Sequence, residues 1–544
     1  MRFSRPLAAL ALFAILTVVH TWPLATAPAT LSRNDNADTV LNEWTLAWVA
    51  HQLPRAPMRL FQANIFYPEP NTLALSEHMV VQSLMGLPLF SLGASPVLVY
   101  NLLLLSGFTL TAWVMYLVIA RATGDALAGL VAGSLAAFNS HVFTRLPHLQ
   151  ALHVEFLPLA VLALHTLLVR PSPGTAIGLG LLFALQGLTS NYWLAFITLA
   201  FVAATLVRPG DWTSDRLRRA GPMLALAAMV ALILVVPFLL PYYRVMREQG
   251  LVRELDEIAL HSAAWRDYLS TPARVHWAWW SRYIWADGLR TPLFPGFIAT
   301  ALVAVAVASR LAWRDRHARL WLAITATAIL FSFGTAIPGY ALLWKVFPLL
   351  KGVRAPVRMG HLALVAIAAL AGFGLAHLRR IGGGRRWATA ATLAVLLGVH
   401  VEALCAPLGF MPASLPPPEY GVLAGQRRAV VAEFPFYHPR QIFGNAPYML
   451  NSTSHWHPLV NGYSGFLPAS YGLHYGYLQG FPDERSLKAL RDLMVTHVVV
   501  HHLPPSRVSA AFGPMPPVAA LEPIAQSPQL TIYRLRWERI PGVR

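Results

Sequence analysis

Apolar runs long enough to cross a bilayer recur along the first 405 residues, and the polar residues gather between the runs. A bilayer core needs roughly 20 apolar residues per helix. The pattern predicts spans near 6–22, 96–120, 125–139, 151–169, 174–190, 191–207, 221–241, 293–309, 320–336, 359–378 and 386–405, eleven in all. The short sequence SNYW at 190–193 is the only break between two of them. Two further apolar stretches, 339–350 and 78–93, are too short to span and read as interfacial or re-entrant helices at the outer surface. A large soluble helical protein would need helices with a polar face. These runs are apolar all round, so they predict a polytopic helical membrane protein.

The pattern changes after Cys405. Residues 406–418 read as a linker that ends in the Pro-rich MPASLPPP. Beyond it, AVVAEFPF (429–436), VTHVVVHH (495–502) and LTIYRLRW (530–537) are strand-like. They predict a small α/β domain over 419–544. The transmembrane domain is then 1–405, with long outer loops at 23–95 and 242–292.

Composition agrees. The chain is 56% hydrophobic and 12% charged, against about 25% charged in soluble proteins. The net charge of +18 comes almost wholly from Arg, with only three Lys. Most of that Arg sits in short loops between apolar runs, which is a topology signal and argues against nucleic acid. With eleven spans and the N-terminus inside, Arg2, Arg5, Arg121, Arg170, the 208–219 group, the 310–319 group and the Arg379–Arg386 group all fall on the cytoplasmic side. The odd span count places the C-terminal domain outside a bacterial cytoplasmic membrane. Residues 1–27 also have the form of a signal peptide, with Ala25-Thr26-Ala27 as a cleavage site. The many spans that follow favour an uncleaved first span. The lone Cys405 forms no internal disulfide and no cysteine zinc cluster.

Five constellations carry candidate chemistry. In RNDNADTVLNEWTLAWVAHQL (33–53), Val40, Leu41, Trp44, Ala47 and Trp48 recur at helical spacing, predicting an amphipathic helix at the membrane interface. Asp35 and Asp38 stand at its start, where either is also a natural helix cap. ANIFYPEPNTLALSEHMVVQ (63–82) brings Glu69, Glu77 and His78 to the outer surface, where each can equally be a solvated loop residue. SHVFTRLPHLQALHVEFLP (140–158) places His141, Arg145, His148 and Gln150 in a short outer loop and His153 and Glu155 inside a span. An ionisable group there needs a partner, and Glu155 with His153 or Arg145 would be a purely structural pair. KVFPLLKGVRAPVRMGH (345–361) crowds Lys345, Lys351, Arg354, Arg358 and His361 at one interface. These cations suit a lipid phosphate or plain headgroup anchoring. Last, 456–482 is rich in aromatics, Asn, Gly and His, as sugar-binding surfaces and loop-rich packing domains both are. There is no P-loop, GxSxG, HExxH or dinucleotide fingerprint.

Together, DTVLNEWTLAWVAHQL, NIFYPEPNTLALSEH, RLPHLQ, VRAPVRMG and STSHWHPLVNGYSGFLP resemble the GT-C superfamily of polytopic glycosyltransferases. That superfamily includes the protein O-mannosyltransferases and the aminoarabinose transferase of lipid A. The chain is most similar to a bacterial group of GT-C-like membrane proteins. The mannosyltransferase loop usually carries an adjacent Asp-Glu pair, whereas the acids here are spaced Asp-x-x-Asp, which leaves the catalytic position open between Asp38 and Asp35. The resemblance implies a GT-C-like bundle of about eleven helices with an extracytoplasmic α/β domain. It implies sugar transfer at the outer face from a polyprenyl-phosphate-linked donor to a glycan, lipid or protein acceptor, among membrane lipids. Asp38 would be the general base, with Asp35 the second choice. Arg354, Arg358 and Arg145 or His148 would hold the phosphate, and Glu77, His78 and Gln150 complete the candidate substrate-binding set. No cofactor is implied, and a divalent metal stays open. Two other readings compete: a lipid or polysaccharide transporter or flippase, and a non-catalytic scaffold with this fold.

Overall fold

The computed structural model describes residues 4–208, 213–285, 291–383, 386–506, 509–513 and 517–539. Arg2 and Arg385 of the topology argument lie outside them. The chain divides into two compact units. One comprises Met1–Thr26, Leu103–Phe238 and Val252–Leu408; the other comprises Ala27–Leu102, Leu239–Leu251 and Gly409–Arg544. The hydrophobic pattern predicts 23–95 as an outer loop of the transmembrane domain. Its residues from Ala27 onward instead fold with the C-terminal segment.

A helix lies at each of the eleven predicted places. Among the described residues, five are long and apolar enough to cross a membrane: Pro96–Thr123, Ala126–Thr144, Leu149–Val169, Asp215–Gln249 and Pro356–Ile381. The other six run from 12 to 18 residues. The break at 190–193 is real, because Ser190 ends one helix and its side chain caps the next by accepting from Tyr192 N. The 339–350 stretch forms only a seven-residue helix, Tyr340–Val346, before a short 3-10 turn.

The helical unit is organised around Met359–Ile381, whose residues from Met359 to Ala376 are all buried. Small residues let neighbouring backbones approach it closely. A Cβ added at Gly374 would lie 2.0 Å from the Leu302 carbonyl oxygen. Asp215–Gln249 is the opposite case, exposing Met229, Leu232, Ile233 and Val236. An apolar helix that turns such side chains outward is built for lipid. Within Leu149–Val169, His153 Nδ1 lies 2.8 Å from Glu155 Oε1 and both side chains are buried. That is the structural pair expected of ionisable groups in a span.

In the second unit a four-stranded sheet runs in the order β3-β4-β6-β5, with β3 Val431–Phe434, β4 His497–His501, β5 Leu521–Gln526 and β6 Leu530–Leu535. β3 and β4 are parallel, which requires a long crossover. Helices Ala446–Asn451, Ala469–Leu478 and Glu484–Asp492 supply it. β3 and β4 are buried along their whole length, with Glu433 in β3 and His497 and His501 at the two ends of β4 among otherwise apolar residues. β5 carries Glu522 and Pro523 and lacks that apolar character, which is why it is absent from the sequence reading. The Pro-rich stretch is not simply a linker: β2 (Met411–Pro412) pairs antiparallel with β1 (Leu31–Ser32).

The helix Ala37–Gln52 differs most from expectation. It is not amphipathic and does not lie on a surface, since thirteen of its sixteen residues are buried. It packs against Val80–Ser91 and Ala446–Asn451. Trp44 and Trp48 stack at 6.2 Å, and Trp48 Nε1 donates to the Leu60 carbonyl at 2.9 Å. The Trp pair that suggested headgroup contact is core.

Candidate functional site

Two clusters of candidate side chains form, one in each unit. The acidic cluster sits at the start of Ala37–Gln52. Its cap is neither aspartate but Asn36, whose side chain accepts from Asp38 N at 2.9 Å. The capping roles considered for Asp35 and Asp38 are thus already filled. Asp35 is exposed and pairs with Arg33 at 3.1 and 3.3 Å. Asp38, half-buried, accepts a hydrogen bond from the Tyr463 hydroxyl at 2.7 Å. Tyr463 belongs to the aromatic 456–482 stretch and packs on Ala37, Val40, Ala446 and Leu450.

Five residues beyond Asp38, Glu43 is fully buried. Its Oε1 accepts from the Ser32 hydroxyl at 2.6 Å, and its Oε2 has no hydrogen-bond partner among the described residues. Burial pushes this carboxyl up to about 8, with the Ser32 bond pulling the other way. Glu77 is half-buried on the extended segment after Leu75. His78 departs from the expected surface position. It is 2% exposed, edge-on to Phe61, and its Nδ1 accepts from Val80 N at 3.1 Å. Burial lowers it to about 4, so it is a neutral packing group at a helix start.

The cationic cluster belongs to the helical unit. Arg145 follows the 3-10 turn Val142–Thr144, and His148 N donates back to the Arg145 carbonyl at 2.8 Å. Arg354 precedes the turn Pro356–Arg358 and Arg358 ends it, with Pro356 fixing the backbone just ahead of the buried helix Met359–Ile381. Tyr192, from the SNYW break, joins them. Its hydroxyl accepts from Arg354 N at 3.2 Å, and the Arg358 guanidinium lies 4.8 Å from its ring centre. Arg145, Arg354 and Arg358 form no ion pair with a carboxylate among the described residues. The buried Arg145 Nε has no hydrogen-bond partner among the described residues. Burial and the nearby Arg358 hold Arg145 below the usual arginine range. Burial, then Arg358, Arg145 and Arg354, holds His148 well below the usual imidazole range. Unpaired guanidinium groups next to a neutral imidazole make a site that gains from an incoming anion. Arg253 stands near Arg354 but is paired with Glu257 at 2.9 Å. Gln150 is buried in the short helix Leu149–Leu152, and its Oε1 has no partner among the described residues.

The structure thus brings Arg145, His148, Arg354 and Arg358 together, although some two hundred residues separate the two pairs in sequence. It joins Asp38 to Tyr463 and leaves Asp35 apart on Arg33. Tyr192 and Tyr463 are absent from the expected set because a lone Tyr carries no spacing signal. Among the described residues no three His, Cys, Asp or Glu side chains gather as a metal site.

No protein-family model matches the chain, and no curated protein matches it. Solved structures do. Arabinofuranosyltransferase AftD from Mycobacteria aligns with 97% of this chain at 15% identity and a TM-score of 0.59. This chain covers 40% of that protein's length. The oligosaccharyltransferase AglB from Archaeoglobus fulgidus aligns with 92% of this chain and 70% of its own, at 12% identity and a TM-score of 0.47. ArnT from Cupriavidus metallidurans aligns with 98% of each chain, at 14% identity and a TM-score of 0.45.

Proposed function

Since the chain has the GT-C fold of polytopic membrane glycosyltransferases, we propose that it transfers a sugar from a polyprenyl-phosphate donor to an acceptor hydroxyl at the outer face of a bacterial cytoplasmic membrane. The acceptor oxygen attacks the anomeric carbon, and the bond from that carbon to the phosphate oxygen breaks. The acceptor proton passes to the Asp38 carboxylate. Polyprenyl phosphate leaves with the electron pair of the broken bond. Arg145, Arg354 and Arg358 hold that phosphate as its charge grows, the kind of stabilisation that is usually the largest catalytic contribution. His148, kept neutral, donates or accepts a hydrogen bond there without adding to the repulsion among the arginines. Tyr463 orients Asp38. A lipid-phosphate donor arrives already activated, so the transfer needs no nucleotide.

The observation that carries this proposal is the cluster of Arg145, Arg354 and Arg358 near Tyr192, with no carboxylate ion pair among the described residues. Burial of the Arg145 guanidinium without a counter-charge is unfavourable, and a phosphate ligand offsets that cost. The test is transfer by the purified full chain in lipid nanodiscs, with a panel of polyprenyl-phosphate sugars and mixed acceptors. Wild type should turn over, Asp38→Asn should not, and Arg358→Gln should lose donor affinity. Loss in Asp35→Asn with activity kept in Asp38→Asn would move the base to Asp35. A folded wild type that binds no lipid phosphate at all would overturn the reading.

A further inference from the structure

The segment Arg274–Trp285 plays no part in the chemistry above, yet it is built in an unusual way. It is one helical stretch whose middle turn, Trp277–Ser281, is π-helical. Its underside is packed. The His276 ring lies 5.2 Å from Phe294 and 5.5 Å from Phe297, and Trp280 lies 5.3 Å from Phe294. His276 Nε2 is 3.2 Å from Glu402 Oε1, and Glu402 in turn accepts from Phe297 N and Ile298 N at the start of Phe297–Ala308. Arg274 N and Nε donate to the carbonyls of Leu404 and Ala406, just past the end of Arg386–Ala403. The segment is thus bolted across the ends of two apolar helices of its own unit.

Its outer face is the reverse of a soluble surface. Val275, Trp279 and Tyr283 form a ridge at four-residue spacing, with Trp279 70% and Tyr283 62% exposed. Trp277 is exposed beside them. Arg274 and Arg282 are exposed at the two ends, and no acid lies between them. The Arg282 guanidinium sits over the Tyr283 ring at 4.8 Å. Exposed Trp and Tyr with Arg, at the ends of apolar helices, match the interfacial zone of a bilayer, where aromatic rings sit at headgroup depth. The charge is of one sign, so it selects an anionic leaflet.

The same end of the unit carries the arginine cluster's neighbours. The Phe294 and Pro292 carbonyls accept from the Ser140 and His141 side chains, and Leu293 lies against Gly360, two residues from Arg358. We infer that Arg274–Trp285 is a membrane-surface anchor. It lays Trp277, Trp279 and Tyr283 into the headgroup layer and binds anionic phospholipid through Arg274 and Arg282, at the end of the helical unit where Arg358 begins the buried helix.

The test uses the full chain in nanodiscs of phosphatidylcholine, with or without phosphatidylglycerol. A spin label is placed by Trp279→Cys in a Cys405→Ser background, with Tyr283→Cys as the second site. Collisions with dissolved oxygen and with a water-soluble nickel chelate then report depth. Both labels should lie at headgroup depth, and phosphatidylglycerol should draw them deeper. The Arg282→Gln variant, which leaves the Arg274 bonds to the carbonyls in place, should weaken that response and keep its fold. Labels as open to the nickel chelate as an aqueous loop would overturn the anchor. A depth that ignores phosphatidylglycerol in the arginine-bearing protein would overturn the anionic preference.

Discussion

Tyr463 donates its phenolic hydrogen to Asp38 Oδ1 at 2.7 Å, joining residues 425 positions apart. The bond fixes a half-buried carboxylate whose helix cap is already supplied by Asn36. Tyr463→Phe removes this donor and little else. A hydrogen bond to a charged group is worth about 1.5–3 kcal/mol, so transfer should fall roughly ten- to hundredfold. Donor KM and the melting temperature should stay near wild type. Asp38→Asn should lose more, about 10²–10⁴-fold in kcat. Equal activity in wild type and Tyr463→Phe would detach Tyr463 from the base.

The arginine cluster predicts stabilisation by anions. A ligand that binds only the folded state adds about 2.7 kcal/mol at a hundred times its Kd. Polyprenyl phosphate should therefore raise the melting temperature of wild type, and do so less for Arg358→Gln and Arg145→Gln. Tyr192→Phe keeps the ring under Arg358 but removes the acceptor for Arg354 N. It should weaken donor binding less than Tyr192→Ala does. Thermal melts with and without the lipid measure all four.

Glu43 gives the second unit a pH-dependent stability. Its folded pKa is raised to about 8 from an ordinary 4.5. Between those values the folded protein holds a proton that the unfolded chain has lost, so stability falls as pH rises. The contribution is intact below about pH 4.5 and gone above about pH 8, a swing on the order of a few kcal/mol. Glu43→Gln should flatten this slope while keeping the Ser32 bond. Chemical denaturation across that pH range, compared between the two proteins, gives the answer.

Inside the sheet unit, Glu433 Oε2 accepts from Tyr420 OH at 2.6 Å and lies 2.7 Å from His501 Nε2, with all three side chains buried. Burial raises the Glu433 carboxyl above its ordinary range, and His501 and Tyr420 pull it back. Tyr420→Phe strips one bond from a group that cannot reach water and should cost about 1–3 kcal/mol. Glu433→Ala should cost more than Glu433→Gln, and no variant of this trio should change donor affinity. Denaturant midpoints and a binding assay check both halves.

The sequence made the bundle legible because lipid imposes a single rule, a long apolar run, that needs no knowledge of neighbours. Strands β3, β4 and β6 were legible from their Val, Ile, Leu, Phe and Tyr residues, the β-branched and aromatic types that strands favour, even though Glu433, His501 and Arg534 lie within them. The helix Ala37–Gln52 was misread because Trp44 and Trp48 satisfy two rules at once, the interfacial belt and the buried core. Only the partner segment Ala446–Asn451 decides between them. The arginines were legible as crowded cations near Pro356, and their company with Arg145 and His148 follows the resemblance. Tyr192, Tyr463 and Glu433 were not legible as site or network residues. Their roles come from contacts between segments distant in sequence, and a single hydroxyl or carboxyl has no period.

The pairing of residues 27–102 with 409–544 also sets a timetable. The acidic helix leaves the ribosome early; Val80–Ser91 follows it soon, while Ala446–Asn451 and Tyr463 come some four hundred residues later. At about 5–20 residues per second, the helix waits roughly 20–80 s for the segment that completes its enclosure. During that interval the nascent chain displays an unfinished hydrophobic helix. A premature stop anywhere before residue 446 would leave the face that meets Ala446–Asn451 exposed for good, as a ready signal for chaperones and quality-control proteases.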